Sequence, residues 1–270
     1  MSLSNRVISN SGNPLPDGLS AFAGCPGKLG KYVLRRVIGR GGTGVVYEGE
    51  DTLLERPVAI KWVTRGAVQG TEQLAARDRL LREARWAARL NHPNTVTVYD
   101  AGEHDQGVYI AMELVRGQSA YDHLQCGRFT WREATRIVSE ICRGLSAAHA
   151  AGLIHRDIKP ANILLVDEAR PATLPKGRSS SSARRALARS GGDAAGYRPW
   201  AKLSDFGLSR SLHYNVPVTV EGQVAGTPHY MSPEQIRGEP LDERADIYSL
   251  GATYYTLLTG RLPYERDDVI

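Results

Sequence analysis

His155-Arg-Asp157-Ile-Lys159-Pro-Ala-Asn162 sets a carboxylate, an ammonium and a carboxamide close together in one short stretch. It stands where the chain has already changed its periodicity. Just before it, residues 131–150 place Ala134, Ile137, Val138, Ile141, Leu145 and Ala148 on one stripe, the spacing of a buried helix. Further upstream the pattern is β: Tyr32-Val-Leu-Arg-Arg-Val-Ile, Val45-Val-Tyr-Glu-Gly-Glu and Pro57-Val-Ala-Ile-Lys-Trp-Val are short strand-prone runs parted by glycine or charge. A helix over 72–90 follows them and stops at Asn91-His-Pro93, then come strands at Thr95-Val-Thr-Val-Tyr and Val108-Tyr-Ile-Ala-Met. Strands first and helices later predict an α+β chain with a small β-rich lobe, 31–115, and a larger helical lobe, 116–270.

Three upstream features gain meaning only together. Gly39-Arg-Gly41-Gly-Thr-Gly44-Val-Val46 fits GxGxxGxV, and glycines let a backbone approach phosphate oxygens and present N–H groups to them. Taken alone it is equally a plain hairpin turn. A dinucleotide fold needs a helix directly after the glycines, and Val45-Val-Tyr-Glu-Gly-Glu is a strand instead. Lys61 ends the apolar run Val58-Ala-Ile, where a lysine is ordinarily a surface charge; behind a glycine loop it becomes a candidate ligand for the α- and β-phosphates of ATP. Such a lysine needs a carboxylate to hold it. Glu83 is the candidate and Glu72 a weaker competitor, although the flanking Arg82 and Arg85 also suit Glu83 to a solvated helix face.

With Asp205-Phe-Gly207, the opening stretch resembles the eukaryotic-type (Hanks-type) protein kinase family. Leu90-Asn-His-Pro-Asn and Gly226-Thr-Pro-His-Tyr-Met-Ser-Pro-Glu-Gln resemble its bacterial Ser/Thr branch, and the likeness runs from about 32 to 264. The resemblance implies a two-lobed kinase fold, ATP with Mg2+ (or Mn2+) as cofactors, and transfer of the γ-phosphate to Ser or Thr of protein substrates. Asp157 would orient the acceptor hydroxyl and take its proton, and Lys159 would meet the γ-phosphate. Asn162 and Asp205 would supply oxygen ligands, which suit a hard cation. Lys61 and Glu83 would pair, Gly39, Gly41 and Gly44 would cover the phosphates, and Val46 and Ala59 the adenine faces. Glu113 and Val115, after Met112, would offer backbone groups to the base. His155 reads as structural, packing near the Asp205 turn, and Asp246 as a brace for the catalytic loop. Thr227 would line the acceptor site, and the Asp-Ile-Lys-Pro-Ala-Asn form favours Ser/Thr over Tyr. Arg156 would pair with a phosphate on the 205–234 loop. The candidate is Thr219, modified in trans by a second copy, with Glu221 lending part of the same negative charge.

Two departures from the family qualify this. Residues 169–200 separate Asn162 from Asp205, and they hold four consecutive serines, Ser179 to Ser182. Such a segment reads as a disordered insertion, across which Leu164-Leu-Val and Ala201-Lys-Leu-Ser still pair as a hairpin, because closure cost grows slowly with length. The chain also ends soon after Thr259-Gly-Arg-Leu-Pro-Tyr, so the helical lobe is expected to be incomplete. The helix over 243–258 is apolar on most faces and is expected to be largely internal. The competing readings are a pseudokinase scaffold that binds nucleotide without transfer, and a small-molecule phosphotransferase. The first usually lacks one of Lys61, Asp157 and Asp205; the second tends to carry His-Gly-Asp.

Composition sets the outer limits. At 41% hydrophobic and 23% charged the chain is an ordinary globular protein. The net charge of +5 raises a nucleic-acid reading, but Arg170, Lys176, Arg178, Arg184, Arg185, Arg189 and Arg198 against Asp193 alone put a net of +6 in the insertion. The rest of the chain is near neutral, which argues against a nucleic-acid partner for the fold. Cys25, Cys126 and Cys142 show neither metal nor disulfide spacing, as in a reducing compartment. Residues 1–30 read as a flexible polar leader without a signal peptide, and no run approaches the roughly 18 apolar residues of a membrane span. A cytoplasmic location follows, with any anchor lying past 270.

Overall fold

In the computed structural model, which describes residues 27–41, 44–64, 72–104, 107–166, 200–206 and 228–264, period-two alternation builds the first lobe. Strands β1 (Lys28–Leu29), β2 (Tyr32–Gly41), β3 (Gly44–Asp51), β4 (Arg56–Thr64), β5 (Val98–His104) and β6 (Gly107–Glu113) form one antiparallel sheet in the order β1-β2-β3-β4-β6-β5. Successive strand residues point to opposite faces. On β4, Val58, Ile60 and Trp62 join a core with Tyr32, Leu34, Val45 and Tyr47, while Ala59 and Val63 turn to a second core with Ile110 and Met112. Lys61 therefore shares the side of Ala59 and Val63, and it is buried there. Helix α1 (Glu72–Ala87) covers that side with Leu80, Leu81, Ala84 and Ala87. Burying a side chain such as Leu80 contributes ~1.5–3 kcal/mol.

The second lobe is organised by α2 (Ala120–Cys126), α3 (Trp131–Ala150), α4 (Pro233–Arg237) and α5 (Glu243–Thr259). Helix α3 begins where Thr130 accepts from the Glu133 amide at 3.3 Å and the Glu133 carboxylate accepts from the Thr130 amide at 2.9 Å. Reciprocal capping of this kind is worth about 1 kcal/mol. The buried stripe of α3 contains Ala134, Ile137, Ile141, Leu145 and Ala148, with Val138 only partly buried. It also contains two residues the apolar spacing does not anticipate, Glu140 and Gly144.

A small antiparallel sheet, β7 (Gly117–Ser119), β8 (Ile163–Val166) and β9 (Ala201–Leu203), carries the chain past the site. Ile163 pairs with Leu203 and Leu165 with Ala201, so the hairpin expected across the insertion is formed. Residues 167–199, including Ser179 to Ser182, lie outside the described residues, as do the leader up to 26, Gly207, Thr219, Glu221 and Thr227. Trp200, placed by sequence at the end of the insertion, is part of the ordered hairpin, since its carbonyl accepts from Val166 at 2.9 Å.

Three expectations need correcting. The strand expected from Thr95 starts only at Val98, because Thr95 bridges to Leu203 and the Val96 amide donates to the Leu203 carbonyl. The helix expected to reach 90 ends at Ala87, after which the Arg89 and Leu90 amides close tighter turns onto Trp86 and Ala87. Helix α5 is not internal on all sides: Ile247 is 56% and Tyr255 45% exposed, while its buried face includes the polar Asp246, Ser249, Thr253 and Thr256. Its apolar residues are spread around the axis, and of the polar ones Asp246 and Thr253 are drawn inward by hydrogen bonds to the neighbouring loop. Among the described residues no helix is long and apolar enough to cross a membrane.

Candidate active site

The loop from His155 to Asn162 is held from below by α5. Asp246 is fully buried, and its carboxylate accepts from the amides of His155 and Arg156, both at 2.8 Å, and meets the His149 ring at 2.8 Å. A buried carboxylate is tolerable only when its lone pairs are satisfied, and three partners do so here. From α4, Gln235 donates to the Arg156 carbonyl at 2.9 Å. Arg156 can therefore sit at φ 67°, in the left-handed region, against a cost of roughly 1–3 kcal/mol. The His155 ring lies 4.7 Å from that of Phe206, bonds the Ser204 carbonyl through Nε2 at 2.8 Å, and meets the Asp157 amide through Nδ1 at 3.2 Å. A neutral ring with its proton on Nε2 satisfies both contacts.

Above this floor the reactive groups converge. Lys159 Nζ lies 3.0 and 2.9 Å from the two carboxylate oxygens of Asp157. Asn162 Nδ2 donates to the Asp157 carbonyl at 2.7 Å and to its carboxylate at 3.0 Å. With that amide nitrogen committed, the Asn162 carbonyl oxygen is the end of the side chain suited to a cation. Lys61 and Asp205 form an ion pair at 2.8 Å. Burial opposes ionisation of Asp205, but the adjacent Lys61 outweighs it and holds the carboxyl below its usual range. Asp205 is also left-handed, at φ 62°. One amide oxygen and one ionised carboxylate form the hard-oxygen donor set that Mg2+ takes, so the residues present fit the expected metal.

The pairing of Lys61 with Glu83 is not what the structure shows. Lys61 is bound by Asp205, and Glu83 lies in a cavity of about 390 Å³ lined by Arg79, Arg82, Trp86 and Arg156. Among the described residues, Glu83 Oε2 and Arg156 Nε are buried without hydrogen-bond partners. Burial pushes the Glu83 carboxyl up to about 7, against the opposing pull of Arg156, Arg79 and Arg82.

The residues expected to face a nucleotide are assembled as a wall. Gly41 pairs with Gly44 and Gly39 with Val46 across the β2–β3 hairpin, and Val46 stands opposite Lys61 on β4. Gly44 has φ 147°, and a Cβ there would fall 2.2 Å from the Trp62 carbonyl oxygen, so only glycine brings the hairpin this close. Ala59 pairs with Met112. The Glu113 amide is already given to the Thr97 carbonyl at 2.9 Å, and its side chain meets Lys202 at 2.8 Å, which leaves its carbonyl as the group for a base. Val115 follows in the connection to β7, partly buried against the second core. Sequence reading missed Glu140, whose signal was an acidic residue set among Ile137, Ile141 and Gly144 on the buried stripe of α3.

Comparison with known proteins agrees with this geometry. The protein kinase domain family matches residues 32–269, and the chain belongs to that family. It is 38% identical over 246 residues to the serine/threonine-protein kinase pkn3 of Myxococcus xanthus, covering 89% of this chain and 40% of that protein. To PknL of Mycobacterium tuberculosis it is 37% identical over 241 residues, covering 89% and 52%, and to PrkC of Bacillus subtilis 35% over 242 residues, covering 89% and 32%. The chain thus spans about half, or less, of the curated relatives it matches. A crystal structure of the PknI kinase domain of Mycobacterium tuberculosis superposes with a TM-score of 0.64 at 28% identity, covering 88% of this chain and 77% of that one. The relatives are bacterial Ser/Thr kinases, and the fold is the two-lobed kinase fold.

Proposed function

We propose that this chain transfers the γ-phosphate of ATP to serine and threonine hydroxyls of protein substrates. The observation that carries the reading is the convergence of Asp157, Lys159, Asn162 and the Lys61–Asp205 pair on one floor. Phosphoryl transfer asks mainly for positioning and charge neutralisation. Asp157 accepts the proton of the substrate hydroxyl and aims its oxygen. Lys159, now lying on the Asp157 carboxylate, places its ammonium where charge grows on the transferred group. Lys61 steadies the α- and β-phosphates under the β2–β3 hairpin, and Val46 and Ala59 close on the adenine. Asn162 and Asp205 would hold Mg2+, with Mn2+ a substitute, and the metal would supply charge neutralisation for phosphate oxygens.

Regulation belongs to the same reading. The cavity beside α1 presents Arg79, Arg82 and Arg156, a guanidinium set suited to a phosphate. Thr219, modified in trans by a second copy, is its proposed source, with Glu221 giving partial charge; Thr227 lines the acceptor site. A phosphate in the cavity takes the cations from Glu83 and frees it to turn to Lys61. The cytoplasm supplies the ATP and Mg2+ this chemistry needs.

Incubation with Mg2+, labelled ATP and a generic basic protein should place label on Ser and Thr. Label confined to Tyr, or none from a protein shown to be folded, would overturn the reading. Thr219→Ala should lower the rate at least about tenfold if a charge-assisted contact is lost; an unmodified Thr219 in active protein places the switch elsewhere.

A further inference from the structure

Asp205 is separated from Asn162 in sequence by residues 167–199, which lie outside the described residues, yet it is held to the same floor. The reason lies outside the site, on α3. Glu140 is 3% exposed. One of its oxygens accepts from the Trp200 amide at 2.7 Å, the Ala201 amide at 2.8 Å and Asn94 Nδ2 at 3.3 Å; the other accepts from Arg136 Nε at 3.1 Å. Asn94 Nδ2 also donates to the Ala201 carbonyl at 2.9 Å, so both polar groups of that peptide unit's residue are gripped. The Arg136 guanidinium lies 5.0 Å over the Trp200 ring and covers the junction.

From this grip to Asp205 the chain has no slack. The Leu203 amide donates to the Asn94 carbonyl and the Val96 amide to the Leu203 carbonyl, both at 2.9 Å. The Ser204 amide donates to the Asn162 carbonyl at 2.9 Å, and the Ser204 carbonyl meets His155 Nε2 at 2.8 Å. Asp205 follows at φ 62°, a conformation that persists only where its surroundings over-determine it.

We propose that Glu140 is a positioning residue for phosphoryl transfer: with Asn94 and Arg136 it clamps the entry of β9 and thereby sets Asp205 against Lys61 and Asn162. A short turn would hold β8 and β9 together by itself. With 167–199 between them, closure costs up to roughly 2 kcal/mol more than across a short turn, and buried charge-assisted hydrogen bonds to Trp200 and Ala201 take the place of the turn.

The proposal rests on the kinase reading, and the test separates the two. Glu140→Gln keeps the volume but turns an NH2 group toward either the Asn94 amide or the Arg136 guanidinium, so donor faces donor. Thr130→Ala serves as control, because it weakens α3 at its cap without touching the clamp. In Glu140→Gln the amides of Trp200 to Ser204 should exchange about tenfold faster, and Mn2+ titrated in the presence of ADP, read by electron paramagnetic resonance, should bind about tenfold more weakly. Where transfer is measurable, half-maximal Mg2+ should rise with it while KM for the protein substrate stays put. Thr130→Ala should lower the melting temperature and leave the metal affinity alone. If Glu140→Gln only lowers the melting temperature, with Mn2+ affinity within about twofold of the parent, Glu140 merely packs α3 and the proposal falls. Metal binding needs no transfer, so a parent protein that binds Mn2+ and ADP without phosphorylating anything overturns the kinase reading and leaves the clamp to be judged on its own.

Discussion

Asp157 and Glu83 are both carboxylates of the candidate site, and their surroundings set them apart. Asp157 is bonded by Lys159 and Asn162, so its charge is held and aimed. Asp157→Asn should preserve the shape and lower kcat by about 10²–10⁴, the usual worth of a positioned base, with KM for ATP nearly unchanged. Initial rates across ATP concentrations check this. Glu83 titrates near 7 because burial disfavours its charge. A carboxyl whose folded pKa is raised above its unfolded 4.5 binds its proton more tightly in the native state. Its stabilising contribution is complete below the unfolded value and is lost as pH rises through about 7. Glu83→Gln, neutral throughout, should therefore melt near the parent at pH about 5 and above it at pH about 8. Parallel melting curves across that window would show that Glu83 carries no such shift.

At the scale of elements, close approach governs more than propensity. A Cβ on Gly144 of α3 would lie 2.9 Å from the Asn94 carbonyl oxygen and 3.1 Å from Thr95 Cγ2. Alanine gains ~1 kcal/mol over glycine in a helix, but here it must push α3 off the segment that β9 pairs with. Gly144→Ala should destabilise by roughly 1–3 kcal/mol in urea unfolding. Gly251 of α5 meets nothing within 4 Å and is the internal control. Gly251→Ala should stabilise by up to ~1 kcal/mol. The same contact explains why the run from Thr95 was misread as strand: β-propensity is there, but Thr95 and Val96 are taken by Leu203 of the other lobe's sheet.

For the whole molecule, the question is how a two-lobed fold tolerates a long excursion between Asn162 and Asp205. The described parts answer that both ends of the excursion are fastened, Val166 to Trp200 and Trp200 to Glu140. Replacing 168–198 by a short turn should keep the fold and Mg2+-dependent transfer, and add up to roughly 2 kcal/mol of stability by shortening the loop to be closed. Chemical denaturation and the labelling assay on that deletion test it. Loss of nucleotide binding there would make the segment part of the site.

The class of fold and most of the site were legible in the chain because their chemistry is local. Asp157, Lys159 and Asn162 meet over a few residues of one loop, and the alternation of β2 to β4 needs only neighbours two apart to declare a sheet. What tertiary structure alone decided was choice among equivalent partners. The sequence offered Lys61 two acidic candidates, Glu83 and more weakly Glu72, and gave Asp205 to the metal; nothing in the chemistry of a carboxylate distinguishes the three. Ion pairing depends on which oxygen arrives within about 3 Å and remains ionised there. Asp205, 144 residues away, met both conditions; Glu83 faces the cavity beside Arg156 and does not reach Lys61. Glu140 was hidden for the same reason, since its partners, the amides of Trp200 and Ala201, lie about 60 residues away and have no side-chain signature to read.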